Sequence, residues 1–318
     1  MADDAGYTMC VTEIVFGCFS ALSLLAQVIL IVVILRKKDL RTGSFYMLNV
    51  ALSFTDIGTI TTHYVFQRFP QMGLFTDSFY LFFGKYNTFA EICTNGFSFL
   101  KALQKYYLIA IGLNRFTAIV FPFVHQFWTT SNTLILIFVI AISASVPHIT
   151  ISALTRSFYA DLNSSLHCNM DNEDIFQIHL SYMIYQPAGA AVILVLANAF
   201  IFSVLGASRR KMKDATGVNK KRYIVEAKLA FVIAIHVILL LGDSIIGVYT
   251  FVKMKDEMMI FIYIIQDILC GINPYLLLLF SSEIRRQVIF CHRKENHVVV
   301  VISTLSANSK IHPTSSKI

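Results

Sequence analysis

Charge is scarce in this chain: only 14% of its 318 residues are Asp, Glu, Lys or Arg, against about a quarter in an ordinary soluble domain. With 56% hydrophobic residues and a mean hydropathy of +0.65, that shortage excludes both a water-soluble globule and a disordered chain. Cysteine is sparse too. Six Cys with no CxxC pair leave no zinc or redox framework and no disulfide-stapled mini-protein. HExxH, P-loop and GxSxG motifs are absent, and the carboxylates are scattered without a visible acid–base pair, so no enzyme is expected.

What the chain has instead is long apolar runs. A helix crossing the hydrocarbon layer needs about 20 mostly apolar residues. Seven stretches qualify: 14–35, 43–66, 89–120, 131–154, 178–205, 229–252 and 258–280. Strands of a membrane barrel would instead alternate with period two. The predicted fold is therefore all-α, a seven-transmembrane helix bundle (14–280), with an extracellular N-terminus (1–13) and a cytosolic helix and tail (281–318). Residues 1–13 carry Asp3, Asp4 and Glu13 but no Lys or Arg, and the first run ends in Arg36-Lys37-Lys38. That pattern predicts a retained helix rather than a cleaved signal peptide.

Of the 26 Lys and Arg, 19 fall in alternate loops and the C-terminal tail. The positive-inside rule puts that side in the cytosol and the N-terminus outside. The net charge of +7 is mostly this asymmetry, so no nucleic-acid partner is expected, and the basic third cytosolic loop suits anionic membrane lipid. Asn163-Ser164-Ser165 is the single Asn-x-Ser/Thr triplet and lies on the outer side, where Asn163 can be glycosylated. Cys93, at the outer end of the third span, and Cys168, in the large outer loop, can join in an oxidising compartment; two free thiols are the alternative.

Arg115 lies 22 residues after Cys93, about 33 Å along a helix, which carries it to the cytosolic boundary. Asn114-Arg115-Phe116 followed by Ala118, Ile119 and Pro122 resembles the Asp/Glu-Arg-Tyr segment of rhodopsin-like G-protein-coupled receptors. Leu52-x-x-x-Asp56 and Asn273-Pro274 resemble further motifs of that family, and Pro147 and Pro187 fall where such receptors bend. There are departures. Asn114 replaces the acidic residue that locks the Arg, Tyr275 directly follows Pro274, and the sixth span has no Pro. Together with the strings LNRFTAIVFPFVHQFW, RFPQMGLFTDSFY and NPYLLLLFSSEIRRQ, these resemble the nematode serpentine chemoreceptors of the gamma superfamily, class V. The resemblance implies a plasma-membrane chemosensory receptor, with a small-molecule external ligand and a heterotrimeric G protein as partner, Arg115 meeting the latter.

Ionisable residues inside a membrane are expensive and therefore functional candidates. Lys101 and Lys105 share one face of the third span. Lys105 is predicted to pair with Asp267 or Asp56, either as a switch or as a static core pair. Lys101 is a candidate for an anionic ligand group, with snorkelling or pairing with Asp243 or Asp267 as the plainer alternative. His236 and Asp243 complete the candidate ligand set. Asp56 with Asn273 could form a polar cluster holding Na⁺ or a proton, or a purely structural network. After Phe280, Ser282 is expected to cap a short helix with Ile284, Val288 and Cys291 on one face, Cys291 being a candidate palmitoylation site or a free thiol. A retinal photoreceptor is excluded because Asp267 stands seven before Pro274, where an opsin carries its Schiff-base Lys. The rival from another class, a seven-span ligand-gated cation channel resembling the insect odorant receptors, has its N-terminus inside, against the charge count.

Overall fold

The computed structural model describes residues 2–74, 86–162, 165–211, 217–253 and 259–290. Its seven long helices follow the seven apolar runs: α1 (Ala2–Arg36), α2 (Ser44–Thr62), α3 (Phe97–Val120), α4 (Thr130–Leu154), α5 (Glu173–Lys211), α6 (Gly217–Lys253) and α7 (Met259–Phe280). A short α8 (Ser282–Phe290) follows. Between α4 and α5, where a loop is expected from the sequence, lies an antiparallel hairpin of β1 (Ser157–Leu162) and β2 (Ser165–Met170).

Local chemistry sets several boundaries. Thr129 caps α4 by accepting the amide of Asn132 at 3.2 Å, and Asn87 accepts the amides of Phe89 and Ala90 at the start of the turn leading into α3. α2 does not stop at Thr62 but continues as π-helical turns, His63–Arg68. A second π segment, Ile92–Gly96, precedes α3. Ser281, not Ser282 as the sequence suggested, caps α8: its Oγ accepts the amide of Ile284 at 3.3 Å, and Ile284 is fully buried. Asn163 and Cys291 lie outside the described residues.

Among the described residues, five helices are long and apolar enough to cross a bilayer by composition alone. α2 and α3 are not among them, and the reason is where they sit. Asn49, Ser53, Asp56 and Thr59 of α2, and Ser98, Lys101, Gln104 and Lys105 of α3, are all buried, because α3 packs against α2, α4, α5 and α6. Helices shielded from lipid can carry polar side chains that a lipid-facing helix cannot. α4 is the opposite case: Phe138, Ile142 and Ile149 are about two-thirds exposed, a face suited to hydrocarbon.

Packing rather than water exclusion holds such helices together. Leu30, Leu48, Leu52, Leu108, Leu194 and Leu240 form the central cluster. α1 and α7 approach so closely at Gly271 that a Cβ there would meet Phe19 and Ser23 at 2.6 Å. Three turns carry a proline within a helix: Pro147, Pro187 and Pro274. Pro274 has no N–H for the carbonyl of Cys270, and Gln27 Nε2 of α1 supplies the missing donor at 2.9 Å.

The expected Cys93–Cys168 disulfide is present and spans 75 residues of sequence. It ties the hairpin to the outer end of α3, while Tyr159, 1% exposed, donates its hydroxyl to Phe66 O of the α2 extension at 2.9 Å. Asp171 closes the base of the hairpin, accepting Thr155 Oγ1 at 2.6 Å and the Arg156 amide at 2.9 Å. These bonds, the Thr155 hydroxyl first, hold its carboxyl below its ordinary value.

Two outcomes follow at this face. Cys168→Ser should lower the thermal midpoint of the purified protein by the equivalent of about 2–4 kcal/mol; an unchanged melt would show that the bond does no stabilising there. For Asp171, a depressed folded value means its bonds contribute fully above the unfolded value of 3.8 and are lost as pH falls through the lower folded one. Hydrogen exchange at the Arg156 amide should therefore stay slow down to that pH and speed up below it, and Asp171→Asn should exchange faster at neutral pH as well.

Candidate functional site in the bundle interior

Polar groups gather on two faces of α3 in its outer half and again at its inner end. In the outer layer, Lys101 Nζ and Lys105 Nζ lie 4.0 and 3.9 Å from the two oxygens of Asp243 on α6. Both ammonium groups thus share one carboxylate. Lys105 is fully buried and its Nζ makes no hydrogen bond. Lys101 Nζ also lies 5.6 Å over the ring of Phe97.

The predicted partners of Lys105, Asp267 and Asp56, are occupied elsewhere. Asp267 accepts the Tyr64 hydroxyl at 2.9 Å. His63 stacks on Phe97 of α3 at 5.3 Å and approaches Asp267 at 3.9 Å, so it stands between α3 and that carboxylate. His63 Nδ1 meets Gln67 Oε1 at 3.1 Å, and its Nε2 accepts Arg68 Nε at 3.2 Å. With Nε2 accepting, the 3.9 Å approach of His63 to Asp267 is a contact and not a charge pair. Arg68 also stacks over Tyr263 of α7 at 4.5 Å.

At the same depth on another face of α3, Asp56 is fully buried and accepts Gln104 Nε2 at 2.7 Å and Gln27 Nε2 at 3.1 Å. Gln266 Nε2 donates to Gln104 Oε1 at 3.1 Å. A hard cation takes a cage of oxygens; here the carboxylate faces amide N–H donors from two sides, so the residues do not fit a sodium ion. Asn273 is not among the partners of Asp56. It lines a cavity of about 10 Å³ with Asn49 and His236. His236 Nδ1 donates to Val232 O at 2.9 Å. Seven residues from Asp243, about 10 Å along α6, His236 lies apart from the lysine pair.

At the inner mouth, Arg115 Nη1 donates to Glu226 Oε2 of α6 at 3.2 Å, and its guanidinium sits 3.8 Å over the ring of Phe45. Asn114 faces the other way and donates to Ser44 Oγ of α2 at 2.9 Å. Phe116 packs against Phe121 and Phe200, linking α3 to α5. Tyr275, 37% exposed, stacks on Phe19 of α1 and is not brought to Arg115. Sequence reasoning missed Glu226, the single carboxylate between Arg222 and Lys228, because it sits in a run of charges read only as topogenic. Gln27 and Tyr64 were missed as well. The freed carbonyl at Pro274 was the available signal for Gln27.

A seven-helix bundle with a disulfide-pinned outer hairpin, a polar interior and an arginine tied across its inner mouth is the architecture of rhodopsin-like receptors. The structure superimposes on squid rhodopsin with a TM-score of 0.67, covering 87% of this chain and 83% of that one at 14% identity; this likeness shows the fold, and α7 carries no Lys for retinal. The chain is 25% identical over 246 residues to serpentine receptor class V-1 of Caenorhabditis elegans, covering 76% of this chain and 77% of that one. The model of the serpentine type 7TM GPCR chemoreceptor Srv family matches residues 15–293. The chain belongs to that family: it is a chemosensory G-protein-coupled receptor.

The shared carboxylate yields an asymmetric prediction. Asp243→Asn leaves two buried ammonium groups without a counter-charge and should cost about 3–5 kcal/mol, whereas Lys105→Met leaves the Lys101–Asp243 pair and should be neutral or stabilising. Thermal inactivation of the purified variants checks this; equal losses would refute the sharing.

Proposed function

We propose that the chain sits in the plasma membrane with its N-terminus outside, takes a small external molecule in the outer half of the bundle, and passes the signal to a heterotrimeric G protein at its cytosolic mouth. The observation that carries this reading is the Arg115–Glu226 pair. It joins α3 to α6 where a cytosolic partner would dock, and a partner offering carbonyl groups competes for the guanidinium. A ligand can only shift an equilibrium that already exists between two packings. The pair holds one packing; its loss favours the other. Asn114 stands where the receptors it resembles carry an acidic restraint on Arg115, and Glu226 provides another from a different helix.

In the outer layer, Lys101, Lys105 and Asp243 are the groups that a ligand's polar end would rearrange, since two ammonium groups on one carboxylate leave a positive charge for an anionic group to meet. The basic loop after α5 suits anionic lipid, and Asn163 and Cys291 remain candidate glycosylation and palmitoylation sites.

Glu226→Gln should raise basal nucleotide exchange on the coupled G protein roughly fivefold, as expected for about 1 kcal/mol of lost pairing, and Arg115→Leu should abolish stimulated exchange. An unaltered basal rate in Glu226→Gln would remove the pair from the switch. Epitopes at each terminus, probed in intact cells with and without glycosidase, test the orientation. An N-terminus found inside would overturn the proposed orientation.

A further inference from the structure

A cavity of about 430 Å³ opens on the outer half of the bundle, between α4 and the segment that leads into α3. Its volume is in the range of small-molecule sites, roughly 300–1,000 Å³. Lys101, Lys105 and Asp243 do not line it. One wall carries Glu91 and Asn95, four residues apart, and the other carries Ser145, His148 and Ser152 of α4, whose spacing puts all three on one face. Ile92, Phe99 and Ile149 supply its apolar part, Thr88 adds a hydroxyl, and no Lys or Arg lines it.

The polar atoms of these walls are only half answered. Asn95 Nδ2 donates to Glu91 Oε1 at 2.6 Å and to Ser152 Oγ at 3.0 Å, and Ser152 Oγ donates to the same Glu91 oxygen. Those bonds fix the orientation of the Asn95 amide. Its Oδ1 is left buried, with no hydrogen-bond partner among the described residues. His148 is 4% exposed, and neither of its ring nitrogens has such a partner. Rings hold it instead, edge-on: Phe99 of α3 and Tyr182 of α5. Buried polar groups without a partner are the exception in folded proteins. Here two line one cavity, beside a carboxylate that accepts both of its bonds at Oε1. Asn95 also belongs to the π segment Ile92–Gly96, a kind of turn that recurs at functional sites.

We propose that this cavity binds a primary ammonium group carried on a short apolar chain that lies against Ile92, Phe99 and Ile149. A primary ammonium brings three N–H donors and no acceptor. Glu91 Oε2, Asn95 Oδ1 and the bare nitrogen of a neutral His148 are three acceptors with nothing yet to accept. The carboxylate also supplies the counter-charge, and the resulting charge-assisted bond is one that an alcohol matches only weakly. A quaternary ammonium has the charge but no N–H to give. A free amine and the head of an aminolipid share this chemistry, because Ile149 is exposed on the face of α4 suited to hydrocarbon. The site goes beyond the receptor reading and stands without it.

The test uses the full chain in phosphatidylcholine nanodiscs, which hold no primary amine, with a photoreactive analogue of hexylamine as probe. The probe should label peptides from 88–99 and 145–152. Unlabelled hexylamine should compete at least about tenfold better than hexanol or hexyltrimethylammonium, the ratio set by one charge-assisted bond. Glu91→Gln keeps an acceptor for Asn95 and Ser152 but removes the charge, so it should melt as the parent does and bring hexylamine down to parity with hexanol. Ile149 and Val146 are both exposed on α4, but only Ile149 lines the cavity. Ile149→Trp should therefore abolish labelling and Val146→Trp should not. Labelling confined to other helices, equal competition by hexanol or by the quaternary ion, a preference for amine that survives Glu91→Gln, or labelling untouched by Ile149→Trp would each overturn the proposal. Nanodiscs with added phosphatidylethanolamine separate the two sources. Suppressed labelling upholds the ammonium site with a lipid head as its occupant, and unchanged labelling upholds it with a free amine.

Discussion

Two lysines share one aspartate in a part of the molecule that has no water to spare, and much of the bundle is arranged around that fact. An ammonium group in hydrocarbon is stable only beside a counter-charge or dipoles. Lys101 and Lys105 must therefore face inward, which makes α3 the central helix and fixes its rotation. That rotation places Gln104 on Asp56 and, further along, Arg115 at Glu226. Asp243 and Glu226 both lie on α6, so α3 and α6 are joined by charge at both the outer layer and the inner mouth. A change in one pairing is felt along a rigid rod by the other.

The spans were readable because a bilayer imposes length and apolarity on anything that crosses it. The third span, with Lys101, Gln104 and Lys105, looked anomalous for the same reason that it proved central. The Cys93–Cys168 bond was an expectation from compartment, because the charge count puts both thiols on the same, outer side, and the structure joins them. Which carboxylate meets Lys105 was not. Depth along a helix follows from residue count, but the partner also depends on which side chains of the neighbouring helices stand in between, and the π turns that carry some of these have no clear mark in the sequence. His63 and Tyr64, displaced by those turns, stand before Asp267 and leave Asp243 to the lysines.

Asn114 illustrates a second limit. Read against the resemblance, it looked like a lost restraint on Arg115; in the structure the restraint is moved to another helix. A motif records which residue is missing from a place, whereas the physical requirement, a counter-charge for a nearly buried guanidinium, can be met from any helix within reach. The hairpin was likewise hidden, because β1 and β2 are short and neither reads as a strand without the disulfide and Tyr159 to hold it down.

The bond between Gln27 and the carbonyl freed by Pro274 has a consequence for biogenesis. These groups are 243 residues apart in sequence, so at ribosomal speeds roughly 12–50 s separate the insertion of the first from the arrival of the second. During that interval α1 resides in the membrane with a polar amide lacking its final partners, and α7 emerges carrying an unsatisfied carbonyl. Each completes the other only once the seventh helix has been made. A chain truncated before its last span would thus carry its own mark of incompleteness, in the first helix, where membrane quality-control factors that sense exposed polar groups could find it.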